Sequence, residues 1–313
     1  MLYRSTRNKL DSFTAYRALR MNKASDGGLI LPFRVPVLEG SQIADMRNAG
    51  LLQNFADILN LFFGTEFTAW DMESTIGKIP VQTVECGQKI VLIHCWKNPA
   101  SKMEYFQQSI FKRLCPDEGM NPTPWARVAI RIAFVAATVL GLAEKEVDIG
   151  VNASDFEQAL AVYYCRKIGI PIRKILIACN ENSNIWDFTY RGTIHCGATL
   201  KTTNYPAQDK VVPDLFEAFM FLHYGYGETQ LFRECVSGKR DYLLPEEANL
   251  PAADDLFVSV IGQDRIPGVI SSFRSNNGVS LNTYTAFALG AVQDYRAKAG
   301  ESSLTVIFEE EAP

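Results

Sequence analysis

The side chains best placed to bind a ligand lie in one loop, directly after the short apolar run 147–151. The loop carries five of them: Ser154, Asp155, Phe156, Glu157 and Gln158. A phosphate site needs glycines, free backbone N–H groups and the start of a helix. This loop has no glycine, and Ser154 and Glu157 form the Ser-x-x-Glu pattern of a capping box, which satisfies the helix N–H groups internally. Because Asp155 and Glu157 would also repel an anion, we expect a self-capped helix.

Histidines and cysteines are the other candidates for catalysis or metal binding. Only His195 and Cys196 are adjacent, and their side chains would diverge in a strand. The seven cysteines contain no Cys-x-x-Cys pair, so we expect free thiols in a reducing compartment and no metal site. The sequence leaves a nucleophilic Cys–His dyad open, but it has no Gly-x-Ser-x-Gly elbow, P-loop or Gly-x-Gly-x-x-Gly.

The elements around the loop follow a β-α-β pattern. Residues 147–151 and 172–178 are typical of buried strands, and 155–168 of the helix between them. Such a unit predicts a parallel sheet with a right-handed crossover, and therefore an α/β fold with flanking helices. Further strands are predicted at 89–94 and 304–308, and further helices at 104–113, 125–142, 213–223 and 284–297.

Length and composition limit the class of protein. The 313 residues suggest about two domains, of which the first 80 residues look helical. The net charge of −4 argues against nucleic acid or an anionic membrane as partner. The most apolar stretch, 128–142, is shorter than the roughly 20 residues that a membrane span needs. With no secretory signal visible, we expect a cytoplasmic protein.

Five segments of the chain, in this order and spacing, resemble threonine synthase, a pyridoxal-phosphate enzyme of fold type II. They are Tyr3-Arg4-Ser5-Thr6-Arg7, Ser25-Asp26-Gly27-Gly28-Leu29, Trp125-Ala126-Arg127, residues 161–172 followed by Asn180-Glu181-Asn182, and Tyr284-Thr285-Ala286. The resemblance implies an N-terminal helical domain at 1–82 and a large α/β domain at 83–313. It also implies that most of the small domain is deleted around 115–124, where a proline-rich stretch bridges the gap.

The departures from the family concern the coenzyme. The resemblance places Met103 where the family has its Schiff-base lysine, and methionine has no amine to form an imine. Lys102 is the one candidate to replace it. The loop 154–158 stands at the family's phosphate loop, and Glu310 at the position that partners the pyridine nitrogen.

Three functions follow from the resemblance and its departures. The first is a non-catalytic homologue, or pseudoenzyme, with a binding or scaffold role, no cofactor, and a second copy or another protein as partner. The second is an active pyridoxal-phosphate lyase of the threonine synthase type that uses Lys102. The third is a sensor that binds an amino acid or small amine at the strand-end crevice, where Asp155 and Glu157 would favour a cationic group.

Overall fold

The computed structural model describes residues 1–77, 82–94, 103–119, 121–154, 156–254, 256–300 and 303–309. The chain divides into two compact units. Unit 1 comprises Met1–Val81, Cys95–Lys145 and Leu160–Pro171, and unit 2 comprises Gln82–His94, Glu146–Ala159 and Ile172–Pro313. Among the described residues, no helix combines the length and apolar character that crossing a bilayer requires.

Unit 1 combines a small antiparallel sheet with helices. Its elements are β1 (Leu2–Ser5), β2 (Ser12–Thr14), α1 (Ala15–Arg20), β3 (Ile30–Pro32), α2 (Gly40–Ala49), α3 (Leu51–Phe63), α4 (Ala69–Ile76), α5 (Met103–Leu114) and α6 (Pro124–Leu140). The sheet order is β2-β1-β3. The apolar residues of α3 recur at steps of three and four, and the helix ends at Gly64 in the left-handed conformation.

An aromatic cluster forms the centre of unit 1. Trp125, near the start of α6, lies 5.5 Å from Phe62 of α3 and 5.3 Å from Tyr164, measured between ring centroids. The Tyr3 hydroxyl donates to the Phe62 carbonyl at 2.6 Å. Thr123 caps α6 by accepting from the Ala126 N–H, and Pro124 takes a position in the first turn where no N–H partner is needed.

Unit 2 is built on a six-stranded sheet in the order β10-β7-β6-β11-β5-β4. Its elements are β4 (Gln82–Cys86), β5 (Ile90–His94), β6 (Val147–Asn152), β7 (Ile172–Cys179), α8 (Ile185–Arg191), β8 (Thr193–Ile194), α9 (Phe216–Ser237), β9 (Tyr242–Leu243), β10 (Leu256–Val260), α10 (Ile266–Asn277), α11 (Thr283–Ala299) and β11 (Thr305–Phe308). Helix α7 (Glu157–Lys167) begins in unit 2 and continues into unit 1.

Five of the six strands are parallel, and only β4 pairs antiparallel, with β5. Helix α11 packs closely on the central strand β6. A Cβ atom at Gly150 would lie 2.8 Å from Val292 Cγ2, so only glycine leaves room for this helix.

The structure confirms the α/β class and the mixed, mainly parallel sheet with flanking helices. The predicted strands at 147–151 and 172–178 and the helix at 125–142 are present within two residues at each end. The N-terminal region, which was expected to be helical, contains the four helices α1–α4 and also a small sheet formed by β1, β2 and β3, which was not predicted. Strands of three or four residues are too short to produce a detectable alternation. The boundary at 82 and the deletion around 115–124 stay predictions.

Candidate functional site

The loop after β6 is held by the side chain of Asn152. Its Oδ1 accepts from the Ser154 N–H at 2.9 Å, and its Nδ2 donates to the Tyr284 carbonyl at 3.3 Å. The Ala153 N–H donates to the Ala178 carbonyl at 2.9 Å. The strand end is therefore fixed by hydrogen bonds within unit 2.

Phe156 determines how the loop enters α7. Its φ is +67°, a left-handed conformation that is uncommon for a bulky residue. Its side chain is 2% exposed, and its ring lies 5.3 Å from that of Phe216 and 5.8 Å from that of Phe219. An aromatic anchor therefore occupies the point where the loop becomes a helix.

The predicted capping box is wrong. It required Ser154 at the N-cap and Glu157 three residues into the helix, but α7 begins at Glu157. The left-handed turn at Phe156 delays the helix, and the Ser154 N–H is bound to Asn152 instead. Glu157 and Gln158 are both buried in the first turn, while Asp155 lies outside the described residues.

A second polar cluster follows β7. The carboxylate of Asp209 accepts from the amides of Asn180 and Asn182 at 2.8 and 2.7 Å, and from the Thr203 N–H and hydroxyl at 2.9 and 2.8 Å. Burial acts to raise the pKa of Asp209, but these hydrogen bonds together outweigh it and hold the pKa below its usual value.

Sequence patterns indicated only part of this second cluster. Asn180 and Asn182 belong to one of the segments that resemble threonine synthase. Thr203 and Asp209 lie instead in an irregular stretch without hydrophobic periodicity. No pattern in that stretch connects it with the end of β7. The spacing Asn-x-Asn directly after a buried strand was the one local signal that a polar cluster would form there.

Met103, the predicted counterpart of the Schiff-base lysine, is the first residue of α5 and is 4% exposed. It lies on the buried face of that helix with Phe106 and Gln107. Phe106 packs against Phe55, at 5.3 Å between ring centroids, and Gln107 donates to the Arg127 carbonyl. Met103 thus belongs to the packed side of α5 in unit 1, and the loop at 152–158 belongs largely to unit 2. Lys102 and Glu310 lie outside the described residues.

The hydrogen bonds described for His195, Cys165 and Cys179 do not join a thiol to an imidazole. His195 Nδ1 lies 2.9 Å from Asp241 Oδ2, with both side chains well exposed. Burial raises the pKa of the Cys179 thiol to about 12 and that of Cys165 further, which disfavours the reactive thiolate. The described residues include no group of three His, Cys, Asp or Glu side chains placed to hold a metal ion.

Comparison with known proteins shows similarity to threonine synthases. A family model described as "Threonine synthase N terminus" matches residues 2–79. The threonine synthase of Pseudomonas aeruginosa is 26% identical over 196 residues, which cover 60% of this chain and 40% of that protein. The threonine synthase of Saccharomyces cerevisiae is 31% identical over 107 residues, which cover 33% of this chain and 21% of that protein. The matched segments therefore span less than half of these relatives.

Solved structures agree over a longer range. The crystal structure of PLP-bound threonine synthase from Brucella melitensis has a TM-score of 0.82 at 18% identity, covering 100% of this chain and 89% of that one. Yeast threonine synthase gives 0.80 at 16% identity, covering 98% and 86%. At such low identity these likenesses establish the fold alone. The chain thus matches the N-terminal threonine synthase family model over residues 2–79 and is similar to threonine synthases in sequence and in fold.

Proposed function

We propose that this protein is a non-catalytic homologue of threonine synthase with a binding or scaffold role. The observation that carries the proposal is the loop between β6 and α7. Phe156 fills the loop end with a buried ring, and Glu157 begins the helix with a buried side chain that carries a carboxyl group. A coenzyme phosphate at this helix start would need space and would be repelled by a carboxylate.

The position of Met103 supports the same proposal from the other unit. A thioether on the packed face of α5 cannot form an imine, and nothing about it is suited to acid–base chemistry. Two requirements for coenzyme chemistry, the amine and the phosphate site, thus lack a matching residue at the positions that the resemblance indicates.

An exposed aromatic side chain supports a binding role. Trp70, on α4, is 71% exposed, although tryptophan is on average a highly buried residue. Tyr105, on α5, is 52% exposed. Tryptophan and tyrosine are enriched in protein–protein interfaces, so a second copy or another protein is the partner that these side chains suit.

Titration with pyridoxal phosphate tests the proposal. The full chain, mixed with increasing coenzyme, is followed by absorbance in the imine band, then reduced with borohydride, digested and mapped by mass spectrometry. We expect no saturable band and only scattered, substoichiometric labelling of surface lysines.

Two lysine variants make the test specific. Lys102→Ala removes the one amine next to the expected position, and Lys9→Ala removes an exposed lysine elsewhere as a matched control. A saturable band that persists in Lys9→Ala and disappears in Lys102→Ala would show that the coenzyme binds through Lys102, as the lyase alternative requires, and would overturn the proposal. Labelling that is equally weak in all three proteins supports it.

A further inference from the structure

Unit 1 contains a pocket whose residues are separate from those considered for coenzyme binding. It lies between α2 and α3 and has a volume of about 380 Å³, within the range of small-molecule sites. Eight residues line it: Leu38, Gln42, Asp45, Met46, Asp57, Ile58, Asn60 and Leu61. All of them come from residues 38–61, so the pocket is formed by α2, α3 and the segment directly before α2.

The walls of the pocket are held at both ends of α2. Before the helix, the Leu38 N–H donates to the Ile168 carbonyl at 2.8 Å. Near its end, the Arg47 guanidinium donates to the carbonyls of Leu142, Glu144 and Lys145. Met46 is the one buried side chain that α2 contributes. The hydrogen bonds fix α2 near its two ends, and an open space remains between its middle part and α3. The pocket is therefore preformed.

The lining combines apolar and acidic side chains. Among the apolar residues, Met46 and Ile58 are buried, and Leu38 and Leu61 are partly buried. The two ionisable residues of the lining are Asp45 and Asp57, one from each helix. Asp57 accepts a hydrogen bond from the neutral amide of Gln53 at 2.8 Å. Within the described parts of the chain, neither carboxylate forms an ion pair.

These features select the charge and shape of a ligand. Two carboxylates without a cationic partner disfavour anions and favour a group that supplies positive charge and N–H donors. The apolar lining residues favour a hydrocarbon or aromatic body attached to that group. Asn60 Oδ1 already accepts from Thr65 and the Phe67 N–H, and Gln42 Oε1 accepts from the Glu39 N–H. Recognition of a positive charge therefore falls to the two aspartates.

We propose that the α2–α3 pocket binds a small organic cation, an ammonium or amidinium group carried on an apolar body. The site is separate from the loop at 152–158 and needs no coenzyme. Its occupant and the proposed loss of catalysis are therefore independent of each other.

Methyl NMR of the full chain tests this binding site. The chain has seven methionines, and the Met46 methyl lines the pocket, so 13C-methyl labelling with Met46→Leu as the assignment variant gives a local probe. The titrants are 2-phenylethylammonium and its neutral near-isostere 2-phenylethanol. We expect a saturable shift of the Met46 signal with the ammonium ion, and at least tenfold weaker binding of the alcohol.

Charge-removing variants complete the test. The pair Asp45→Asn/Asp57→Asn should weaken ammonium binding at least tenfold, whereas Glu66→Gln, an exposed acid in the same unit outside the lining, should leave it unchanged. Binding of the alcohol as tight as that of the ammonium ion, or a twofold effect of the double variant, would overturn the proposal. So would a basic peptide that shifts the Met46 signal when the small cation does not.

The ligand comparison keeps the test decisive if the double variant is unstable, because it uses the unaltered protein. The outcome is also separable from the coenzyme experiment. The coenzyme experiment measures imine absorbance and its dependence on Lys102, whereas the present one measures the NMR shift of the Met46 methyl group. Failure of either leaves the other standing.

Discussion

Asp209 joins two stretches of unit 2 through a single carboxylate. Four donors from Asn180, Asn182 and Thr203 converge on it, and they lower its pKa in spite of partial burial. Ligands of open α/β sheets commonly bind at the carboxyl ends of the strands, but the polar groups at the end of β7 are engaged with one another. The carboxylate of Asp209 therefore has a structural role, and its contribution to the stability of the fold depends on its charge.

Replacing Asp209 by asparagine should therefore alter the pH dependence of stability. A carboxyl whose folded-state pKa is lowered stabilises the fold above its unfolded pKa, and this stabilisation is lost as the pH falls through the folded value. At pH 7 we expect Asp209→Asn to lower the free energy of unfolding by about 1–3 kcal/mol, since one charged acceptor is lost. The difference from the unaltered protein should shrink as the pH falls below about 4.

Urea unfolding at a series of pH values measures both quantities. Asp214→Asn is the matched control, because Asp214 pairs with Lys210 on the surface and is 72% exposed. Its removal should change the free energy of unfolding by less than about 1 kcal/mol. A deficit in Asp209→Asn that is the same at pH 3 and pH 7 would contradict the assigned role of the charge.

Among the helices and strands, those with a clear hydrophobic pattern over a sufficient length were predicted best from the sequence. The β6-α7-β7 unit was readable because two buried strands flank a helix of suitable length. Strands β4 and β10 were missed, since five-residue strands at the sheet edges carry little pattern. At the site, the composition of the 154–158 loop predicts that an anion is disfavoured, which stays a prediction, and it did not reveal the conformation of the loop. The left-handed turn at Phe156 depends on the rings of Phe216 and Phe219, sixty residues later in the chain.

Helix α9 contains a break that glycine makes possible. Gly225 has φ 76° and ψ −166°, a region of backbone space that is almost exclusive to glycine, and the helix resumes after it. We expect Gly225→Ala to lower the free energy of unfolding by about 1–3 kcal/mol, because the added Cβ is strained whatever space surrounds it.

Gly227 provides a control two residues away in the same helix. It has ordinary helical backbone and open space where a Cβ would lie. Gly227→Ala should leave stability unchanged or raise it by about 0.5–1 kcal/mol, since alanine has the higher helix propensity. Thermal unfolding of the two variants measures the contrast, and equal destabilisation by both would show that the break is not a backbone requirement.

Considered as a whole chain, the two compact units are interleaved in sequence. Unit 1 takes α3 from the first 81 residues and α6 from the segment after residue 94, while unit 2 takes β4 and β5 from between them. The resemblance to the family instead predicts a boundary at residue 82. The two descriptions differ in what each fragment would contain, and this difference can be measured.

Separate production of residues 1–82 and 83–313 provides the measurement. The first fragment lacks α6, so Phe62 loses the ring of Trp125 that lies 5.5 Å away in the intact unit. Exposing such large aromatic side chains costs about 1.5–3 kcal/mol each, and total stability is typically about 5–15 kcal/mol. We therefore expect neither fragment alone to give a cooperative unfolding transition or a native near-UV circular dichroism spectrum. Mixing the two should restore both signals, because together they contain every element of unit 1. Cooperative unfolding of 83–313 by itself would instead make residue 82 a true folding boundary.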